Sequence, residues 1–306
     1  MAEKDIMKIF NLGIEDIDLH IKGSKKESVL YKPKADEGKD GVYKALIRFV
    51  PNPKNPQKSL IKKYVYWLTD SEGQGSYFDA PSTVGDKDPV QDLFFKLNKS
   101  ESAADKKIAE VLKRKEVYYS LIQIIRDPQR PELEGKIKIF KFGQKLKVKI
   151  DEEANPQFDE PTQVYDLFEG KNLELTITKQ NKFNNYDSSK FQGKRSGIIV
   201  NGKQMVNTPE CMKQIVGIFT DPTVPNLDDF EFKPWDDDAR KAVMNILDMY
   251  RSPGASIEKI YSSKPVDELD DALKFGSDKP VSSASTESSP SQEEDDLKRF
   301  LDELDV

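Results

Sequence analysis

The sequence VYKALIRFV, residues 42–50, alternates apolar and polar side chains in the pattern of a β-strand with one buried face. Tyr43, Ala45, Ile47 and Phe49 fall on one face, while the other face carries basic residues. A strand of this kind needs a core on one side and solvent or a ligand on the other. The stretch therefore predicts a half-buried strand in a sheet.

Further strand-like stretches follow, separated by prolines and glycines. They are residues 60–68, 117–125, 136–142, 145–150 and 173–179, and a hairpin at 198–206 about Asn201-Gly202. Helical spacing is found at about residues 102–115, 209–219 and 237–250. Short strands closed by helices predict a mainly β, α+β domain with accessory helices and an OB-fold-like barrel core.

The rare residue types exclude several kinds of active site. One cysteine, Cys211, and one histidine, His20, cannot supply the four Cys/His ligands of a structural zinc site. The glycines match neither the P-loop nor the dinucleotide fingerprint. A carboxylate–metal nuclease stays open as an alternative, for example at residues 236–238, although these acids also fit a helix N-terminus. We expect a protein that is not an enzyme and has no metal and no cofactor.

Charge is distributed unevenly along the chain. Residues 265–306 hold thirteen Asp/Glu against four Lys/Arg, a net charge of −9, so residues 1–264 carry +3 of the total of −6. Residues 106–150 carry +8 and residues 171–203 carry +5. Two basic blocks and an acidic terminus indicate a polyanion binder with a separate acidic appendage. A solvated lysine-rich surface is the plainer alternative.

Aromatic residues lie among these basic residues, as single-stranded nucleic acid binding requires. Cations contact the phosphates, and each base stacked on a ring contributes roughly 1–3 kcal/mol without regard to sequence. The candidate DNA-binding residues are Arg48, Lys62, Tyr64, Tyr66, Lys113, Arg114, Lys115, Tyr118, Tyr119, Phe140, Lys141, Phe142, Lys145, Phe183, Tyr186, Lys190, Lys194 and Arg195.

Some of these rings have an equally good explanation in packing. Adjacent Tyr118 and Tyr119 point to opposite faces of a strand, so one at most faces a ligand and the other is core. Packing and stacking are about equally expected for Phe140 and Phe142. Phe183 and Tyr186 lie in a polar loop, where they are expected to be exposed with no packing role, which favours function. An RNA-binding protein remains an alternative, because stacking alone does not distinguish the 2′-hydroxyl.

Four segments, in order, resemble the helix-destabilising single-stranded DNA-binding protein family of T-even-type bacteriophages. They are LIRFVP at 46–51, KRK and YYSLIQIIRDP within 113–128, EGK and FKFG within 134–143, and FNNYDSSKF at 183–191. The resemblance covers residues 41–191, and the acidic Leu/Phe terminus is also similar to the tail of that family.

The resemblance implies an OB-fold that binds single strands cooperatively in phage DNA replication, recombination and repair, in the cytoplasm of the infected bacterial host. It implies DNA contacts at Arg48, Lys113, Arg114, Lys115, Tyr118, Tyr119, Phe140, Phe183 and Tyr186. It also implies an N-terminal arm that binds neighbouring protomers through a basic, hydroxyl-containing motif, here residues 22–28 with Lys22, Lys25 and Lys26.

One departure from the family concerns a zinc-binding segment with three Cys and one His. The corresponding residues, 77–91, contain neither residue type and read as a loop, so we predict no zinc. Packing of Tyr77, Phe78, Leu93 and Phe94 is expected to hold this segment instead.

These patterns predict four parts of the chain. They are a self-association arm (1–28), a single-stranded DNA-binding core (29–250), a flexible linker (251–292) and an acidic amphipathic tail (293–306). Leu297, Phe300, Leu301 and Leu304 share one helical face in the tail. They are expected to dock replisome or recombination proteins. No apolar run approaches the roughly 18 residues of a membrane span, so no membrane contact is expected.

Overall fold

The computed structural model describes residues 28–180 and 183–251. Several predicted positions lie outside the described residues, namely Lys22, Lys25 and Lys26 of the arm and Leu297, Phe300, Leu301 and Leu304 of the tail. The predicted division into arm, core, linker and tail therefore stays a prediction.

The described residues form eleven strands and five α-helices. The strands are β1 (Leu30–Tyr31), β2 (Tyr43–Val50), β3 (Leu60–Thr69), β4 (Gly75–Asp79), β5 (Lys115–Arg126), β6 (Ile137–Phe142), β7 (Lys171–Gln180), β8 (Phe183–Asn185), β9 (Lys190–Arg195), β10 (Ile199–Val200) and β11 (Lys203–Gln204). The helices are α1 (Pro89–Asn98), α2 (Ala103–Leu112), α3 (Gln144–Ala154), α4 (Pro209–Phe219) and α5 (Asp237–Arg251). None of these helices is both long and apolar enough to cross a membrane.

Nine strands make one sheet, in the order β1-β6-β5-β2-β7-β8, with β3 and β4 extending from β5 and β9 pairing with β7. The long strand β5 pairs with β3 over its first half and with β2 over its second. β2 pairs with β5 through residues 46–50 and with β7 through residues 43–47. Strands that change partners in this way curl the sheet into a half-barrel. The predicted mainly β fold with accessory helices is confirmed, while the OB-fold assignment stays a prediction.

The alternation of β2 appears in its burial. Tyr43, Ala45, Ile47 and Phe49 are buried on the inner face of the curled sheet, as predicted, in an apolar cluster that we call the inner cluster. Each fully buried apolar side chain of this size contributes roughly 1.5–3 kcal/mol relative to leaving it in water. A second apolar cluster, the outer cluster, covers the outer face of β3, β5 and β6, and a third lies between β3 and helices α1, α2 and α5.

The expected strand at residues 145–150 is wrong, because these residues lie in helix α3. The sequence KLKVKI fits both the alternation of a β-strand and the one-turn spacing of an α-helix. In the helix, Leu146 and Ile150 are one turn apart and buried, and Val148 is exposed. The predicted helices near α2, α4 and α5 are confirmed, as is the β10–β11 hairpin, in which Asn201 and Gly202 have positive φ.

Residues 77–91, which were expected to form a loop, contain part of strand β4 and the start of helix α1. Buried Asp88 organises it. One carboxylate oxygen caps α1 by accepting from the backbone N–H groups of Val90 and Gln91, at 3.2 and 3.1 Å. The other accepts from the hydroxyls of Tyr66 and Ser82, both at 2.8 Å.

The side chains expected to hold this segment are placed in three ways. Leu93 is buried, Phe78 and Phe94 pack against the third cluster, and Tyr77 is 40% exposed but packs edge-on against Trp67, with ring centroids 4.6 Å apart. All four expected residues therefore take part in packing, and Asp88 adds a polar centre that the sequence pattern does not predict.

Candidate nucleic-acid interface

Strands β3 and β5 bring two of the predicted segments side by side. Lys62 is the cross-strand partner of Tyr118, and Tyr64 is the partner of Glu116. Paired residues on neighbouring strands project from the same face, and so do residues two apart. The four side chains therefore share one surface.

This surface carries a row of alternating cations and rings, which we call the cation–aromatic row. The Arg114 guanidinium carbon lies 3.9 Å from the centre of the Tyr64 ring. Lys62 Nζ lies 5.2 Å from the same ring and 5.9 Å from that of Tyr118. Lys147 Nζ lies 5.8 Å from the Tyr118 ring. The spacing suits a nucleotide chain, which presents bases and phosphates in alternation.

Glu116 lies within the row and fixes its charge state. Its carboxylate pairs with Lys62 Nζ at 3.1 Å and accepts from the Tyr118 hydroxyl. Burial alone would raise the pKa of Glu116, but the bonds from Tyr118 and Lys62 hold that pKa below its ordinary value. Burial would likewise lower the pKa of Lys62, yet the hydrogen bond to Glu116 raises it. Lys62 is a cation and Glu116 an anion at neutral pH.

Helix α3 supplies the last cation of the row. Leu146 and Ile150 bury one face of α3, and Lys147 beside that face reaches the Tyr118 ring. Lys147 also pairs with Asp151 one turn later. Lys147 is not among the predicted contacts, although Lys145 in the same segment is.

Tyr118 joins the row to the core. It is 3% exposed, and its ring stacks on Phe142 with centroids 5.7 Å apart and planes 16° apart. Phe142 stacks in turn on Phe140, also at 5.7 Å. Both phenylalanines are buried in the inner cluster. Burial favours packing over base stacking for all three rings, so Tyr64, which is only partly buried, is the ring of the row that is open to a base.

Three more candidates on β3 and β5 are buried, namely Tyr66, Lys115 and Tyr119. The Tyr66 hydroxyl donates to Asp88, as described above. Tyr119 packs in the outer cluster against Phe230, with ring centroids 5.1 Å apart. Of the two adjacent tyrosines, Tyr118 is therefore the one that reaches the cation–aromatic row.

Arg48 is 0% exposed, although the sequence predicts a DNA contact. Its Nη2 donates to the carbonyl oxygens of Asp166 and Ser196, each at 2.7 Å. Nε and Nη1 are buried and have no hydrogen-bond partner among the described residues. Burial lowers the pKa of Arg48 to about 10 against the opposing effect of the Asp166 charge. In this conformation Arg48 ties two loops to β2 and does not meet solvent.

The β8–β9 region holds a second group of predicted contacts. Tyr186, expected to be exposed in a polar loop, is buried in the inner cluster, so that expectation is wrong. Lys190 is exposed and lies 3.7 Å from Glu174. Lys194 and Arg195 are also exposed, and Arg195 lies 3.6 Å from Glu160. The side chain of Phe183 lies outside the described residues.

The remaining predicted cations are more scattered. Lys113 is half-buried at the end of α2, next to Arg114. Lys145 pairs with Asp187 at 3.1 Å. Lys141 lies away from the row, with its Nζ 4.8 Å from the centre of the Tyr77 ring on β4. The structure thus brings Lys62, Tyr64, Arg114 and Tyr118 together and leaves the other described candidates elsewhere on the surface or in the core.

The acids considered as a metal site lie at the start of helix α5. Asp236 Oδ1 accepts from the Ala239 backbone N–H at 2.7 Å, which is the geometry of a helix cap. Within the described ranges, no group of three or more His, Cys, Asp or Glu side chains is arranged to hold a metal ion. The geometry favours the helix-start interpretation of residues 236–238.

Comparisons with known proteins place these features in context. A family model described as gp32 DNA binding protein like matches residues 39–220, which include the whole cation–aromatic row. The single-stranded DNA-binding proteins of Enterobacteria phages T4 and T2 are each 31% identical to the chain over 164 residues. These matches cover 53% of the chain and 54% and 53% of the two relatives. The chain therefore matches about half the length of each relative.

Proposed function

The chain belongs to the family of gp32-like DNA-binding proteins, and from this premise we propose that it binds single-stranded DNA without sequence preference and without catalysing a reaction. The observation that carries the proposal is the cation–aromatic row across β3, β5 and α3. The names of the relatives support the nature of the ligand.

When DNA binds, the cation–ring contacts of the free protein are replaced by stronger base–ring and cation–phosphate contacts. In the free protein, Arg114 and Lys62 rest on the Tyr64 ring, a contact that contributes about 0.5–1 kcal/mol at an exposed site. A base stacked on that ring contributes roughly 1–3 kcal/mol. The displaced cations contact the flanking phosphates and release counterions, so the affinity falls steeply with salt. Each cation thus moves from a ring to a phosphate as a base takes its place.

Preference for single strands follows from the rings. A base must leave its stack to lie on Tyr64, which a single strand permits at lower cost than a duplex. Occupancy of single strands then shifts the duplex equilibrium toward melting by mass action. The protein protects and straightens single-stranded DNA in phage replication, recombination and repair, in the cytoplasm of the infected bacterial host.

Two further parts of the proposal rest on sequence alone. Protomers line up on DNA through the arm, with Lys22, Lys25 and Lys26, which makes binding cooperative. The acidic tail recruits replisome or recombination proteins through Leu297, Phe300, Leu301 and Leu304. Both segments lie outside the described residues.

Fluorescence titration tests the main proposal. The protein is titrated with oligo-dT, with oligo-U and with a duplex of equal length, at about 50 and 300 mM salt. Tight, salt-sensitive quenching by oligo-dT alone supports the proposal. Equal binding to oligo-U indicates the RNA-binding alternative. Equal binding to the duplex contradicts a role for the rings.

Replacement of Tyr64 tests the row itself. Tyr64→Leu is expected to weaken oligo-dT binding roughly 5- to 160-fold, because one stacking platform is lost. Tyr64→Phe keeps the ring and is expected to restore most of the affinity. Phe158→Leu is the matched control, because Phe158 is 90% exposed but flanked by Asp159 and Glu160. Equal losses for Tyr64→Leu and Phe158→Leu would contradict a specific role for the row.

A further inference from the structure

A second basic surface lies on the outer face of the sheet, where β5, β2, β7 and β9 run side by side. It is a trough of about 710 Å³ whose lining includes Lys44, Arg126 and Lys190. Lys44 follows buried Tyr43 and precedes buried Ala45, so its side chain points away from the inner cluster. We call this surface the basic trough.

The cross-strand register places charged residues in one line across the trough. Arg126 pairs with Leu46, Leu46 with Glu174, and Glu174 with Lys190, on four neighbouring strands. Adjacent strands lie about 4.8 Å apart, so Arg126 and Lys190 stand roughly 14 Å apart along this line. Lys44 lies two residues from Leu46, to one side of the line.

A β-bulge gives Arg126 its outward direction. Leu46 pairs with Arg126 and the next residue, Ile47, pairs with Ile124, so the register shifts by one residue between them. Ile124 is buried in the inner cluster, and regular alternation would put Arg126 on that same inner face. The bulge turns Arg126 to the outer face, a common effect of bulges.

Two of the three cations of the trough have no counter-ion among the described residues. Lys190 pairs with Glu174 at 3.7 Å. The side chains of Lys44 and Arg126 form no hydrogen bond or ion pair with any other described residue. These three cations and one carboxylate give the trough a net charge of +2.

The other side chains of the trough indicate the class of ligand. Thr176, Thr178 and Ser188 present hydroxyl donors, and no described lining residue is aromatic. Hydroxyls and cations suit phosphate oxygens, whereas the absence of a ring leaves nothing for a base to stack on. An amphipathic acidic peptide would need a larger apolar surface for its leucines than Val42, Leu46 and Pro128 offer, because the other apolar lining residues, Ala45 and Leu175, are buried in the inner cluster.

We propose that the basic trough is a second nucleic-acid contact, which binds the phosphate backbone and does not stack bases. The inference rests on the proposed function, because it takes DNA as the polyanion. A backbone contact accepts paired and unpaired strands alike, so the trough holds DNA that flanks the segment on the cation–aromatic row.

The double variant Lys44→Gln/Arg126→Gln tests this inference in the full chain. Loss of two phosphate contacts is expected to lower the salt slope of oligo-dT binding by about 1.4 and that of duplex binding by about 1.8. Oligo-dT affinity should fall roughly 25-fold at 0.1 M salt, with quenching at saturation unchanged. The control Lys213→Gln/Lys241→Gln removes the same charge from α4 and α5 and should keep the wild-type slope.

The possible outcomes separate the two proposals. The trough proposal is overturned if Lys44→Gln/Arg126→Gln keeps the wild-type salt slopes of DNA binding. It is also overturned if the control variant loses as much oligo-dT affinity. Duplex binding that depends on the trough, without any oligo-dT quenching, supports the trough and overturns the proposed function. No DNA binding by the wild type overturns both. The last outcome concerns a labelled peptide of residues 293–306. If this peptide binds the wild type but not Lys44→Gln/Arg126→Gln, and the DNA affinity of that variant is unchanged, the trough binds the tail and is not a DNA contact.

Discussion

Single residues determine how much positive charge the cation–aromatic row offers to DNA. Glu116 pairs with Lys62, and Asp151 pairs with Lys147. Arg114 instead donates to neutral groups, Ser82 Oγ at 2.8 Å and Gln91 Oε1 at 3.3 Å. Three cations and two carboxylates leave a net charge of +1. DNA must therefore compete with carboxylates of the protein for two of the three cations.

Replacing Glu116 should strengthen DNA binding. In Glu116→Gln, Lys62 is released and a negative charge is removed from the path of the phosphates. We expect oligo-dT affinity to rise roughly 2- to 5-fold at low salt, the range of a single partly exposed charge pair. Titration of the wild type and of Glu116→Gln with oligo-dT at about 50 mM salt measures this gain in affinity.

Glu132→Gln is the control, because Glu132 is an exposed acid that is not part of the row. An equal rise in the control would show a general charge effect. A loss of affinity in Glu116→Gln would show that the carboxylate holds Lys62 in its binding position.

At the scale of single elements, Asp88 joins helix α1 to strand β3. Its carboxylate caps the helix and accepts from the hydroxyl of buried Tyr66 on β3. Arg114 also donates to Ser82, which itself donates to Asp88. The polar centre at Asp88 thus holds both the segment in which zinc was not expected and one cation of the row.

Loss of this carboxylate should destabilise the fold. We expect Asp88→Ala to lower the free energy of unfolding by roughly 2–4 kcal/mol, because a helix cap is lost and the buried Tyr66 hydroxyl loses its partner. Urea denaturation followed by circular dichroism measures the change. Ser102→Ala removes the exposed cap of α2 and should cost about 1 kcal/mol. Equal costs for the two variants would show that the bonds to β3 contribute nothing.

The elements with a single clear period could be predicted from the sequence. Strand β2, helix α5 and the Asn201-Gly202 hairpin each follow local patterns or turn chemistry. Helix α3 could not, because its apolar residues alternate and also recur one turn apart, and only packing of Leu146 and Ile150 decides between the two. The bulge beside Leu46 depends on partners far along the chain and leaves no local signal.

The same distinction applies to the candidate site. Lys62, Tyr64 and Tyr118 could be predicted from their residue types and strand positions, and Arg114 from the basic run that leads into β5. Tyr186 was expected to be exposed from its polar neighbours, yet residues distant in sequence bury it. Arg48 resembles a surface cation on its strand, but the loops that carry Asp166 and Ser196 cover it. Burial of this kind is a property of the tertiary fold.

At the scale of the whole molecule, charge is separated between the basic core and the acidic C-terminal region. Residues 265–306 carry −9 and residues 1–264 carry +3. The acids can compete with DNA for the cations of the core, since both are polyanions. Such competition would weaken DNA binding most at low salt, where charges are least screened.

Deletion of residues 277–306 should therefore raise the affinity for oligo-dT. We expect a gain on the order of tenfold at 50 mM salt that shrinks as salt is raised. Titration over a salt series measures it. Deletion of residues 277–292 alone retains the acidic segment at 293–306 and should give a much smaller gain. Unchanged affinity in the longer deletion would rule out competition by the tail.

The two-sided pairing of β2 also has a consequence in time. Tyr43 pairs with Ile177, which is 134 positions later in the chain. At a synthesis rate of roughly 5–20 residues per second, the partner strand emerges on the order of 10 seconds after β2 does. During that interval the nascent chain carries a β-branched, apolar strand with an open edge, which can pair with other nascent chains. Slower translation between β2 and β7 would lengthen this exposure, so the yield of folded protein should depend on the rate of synthesis.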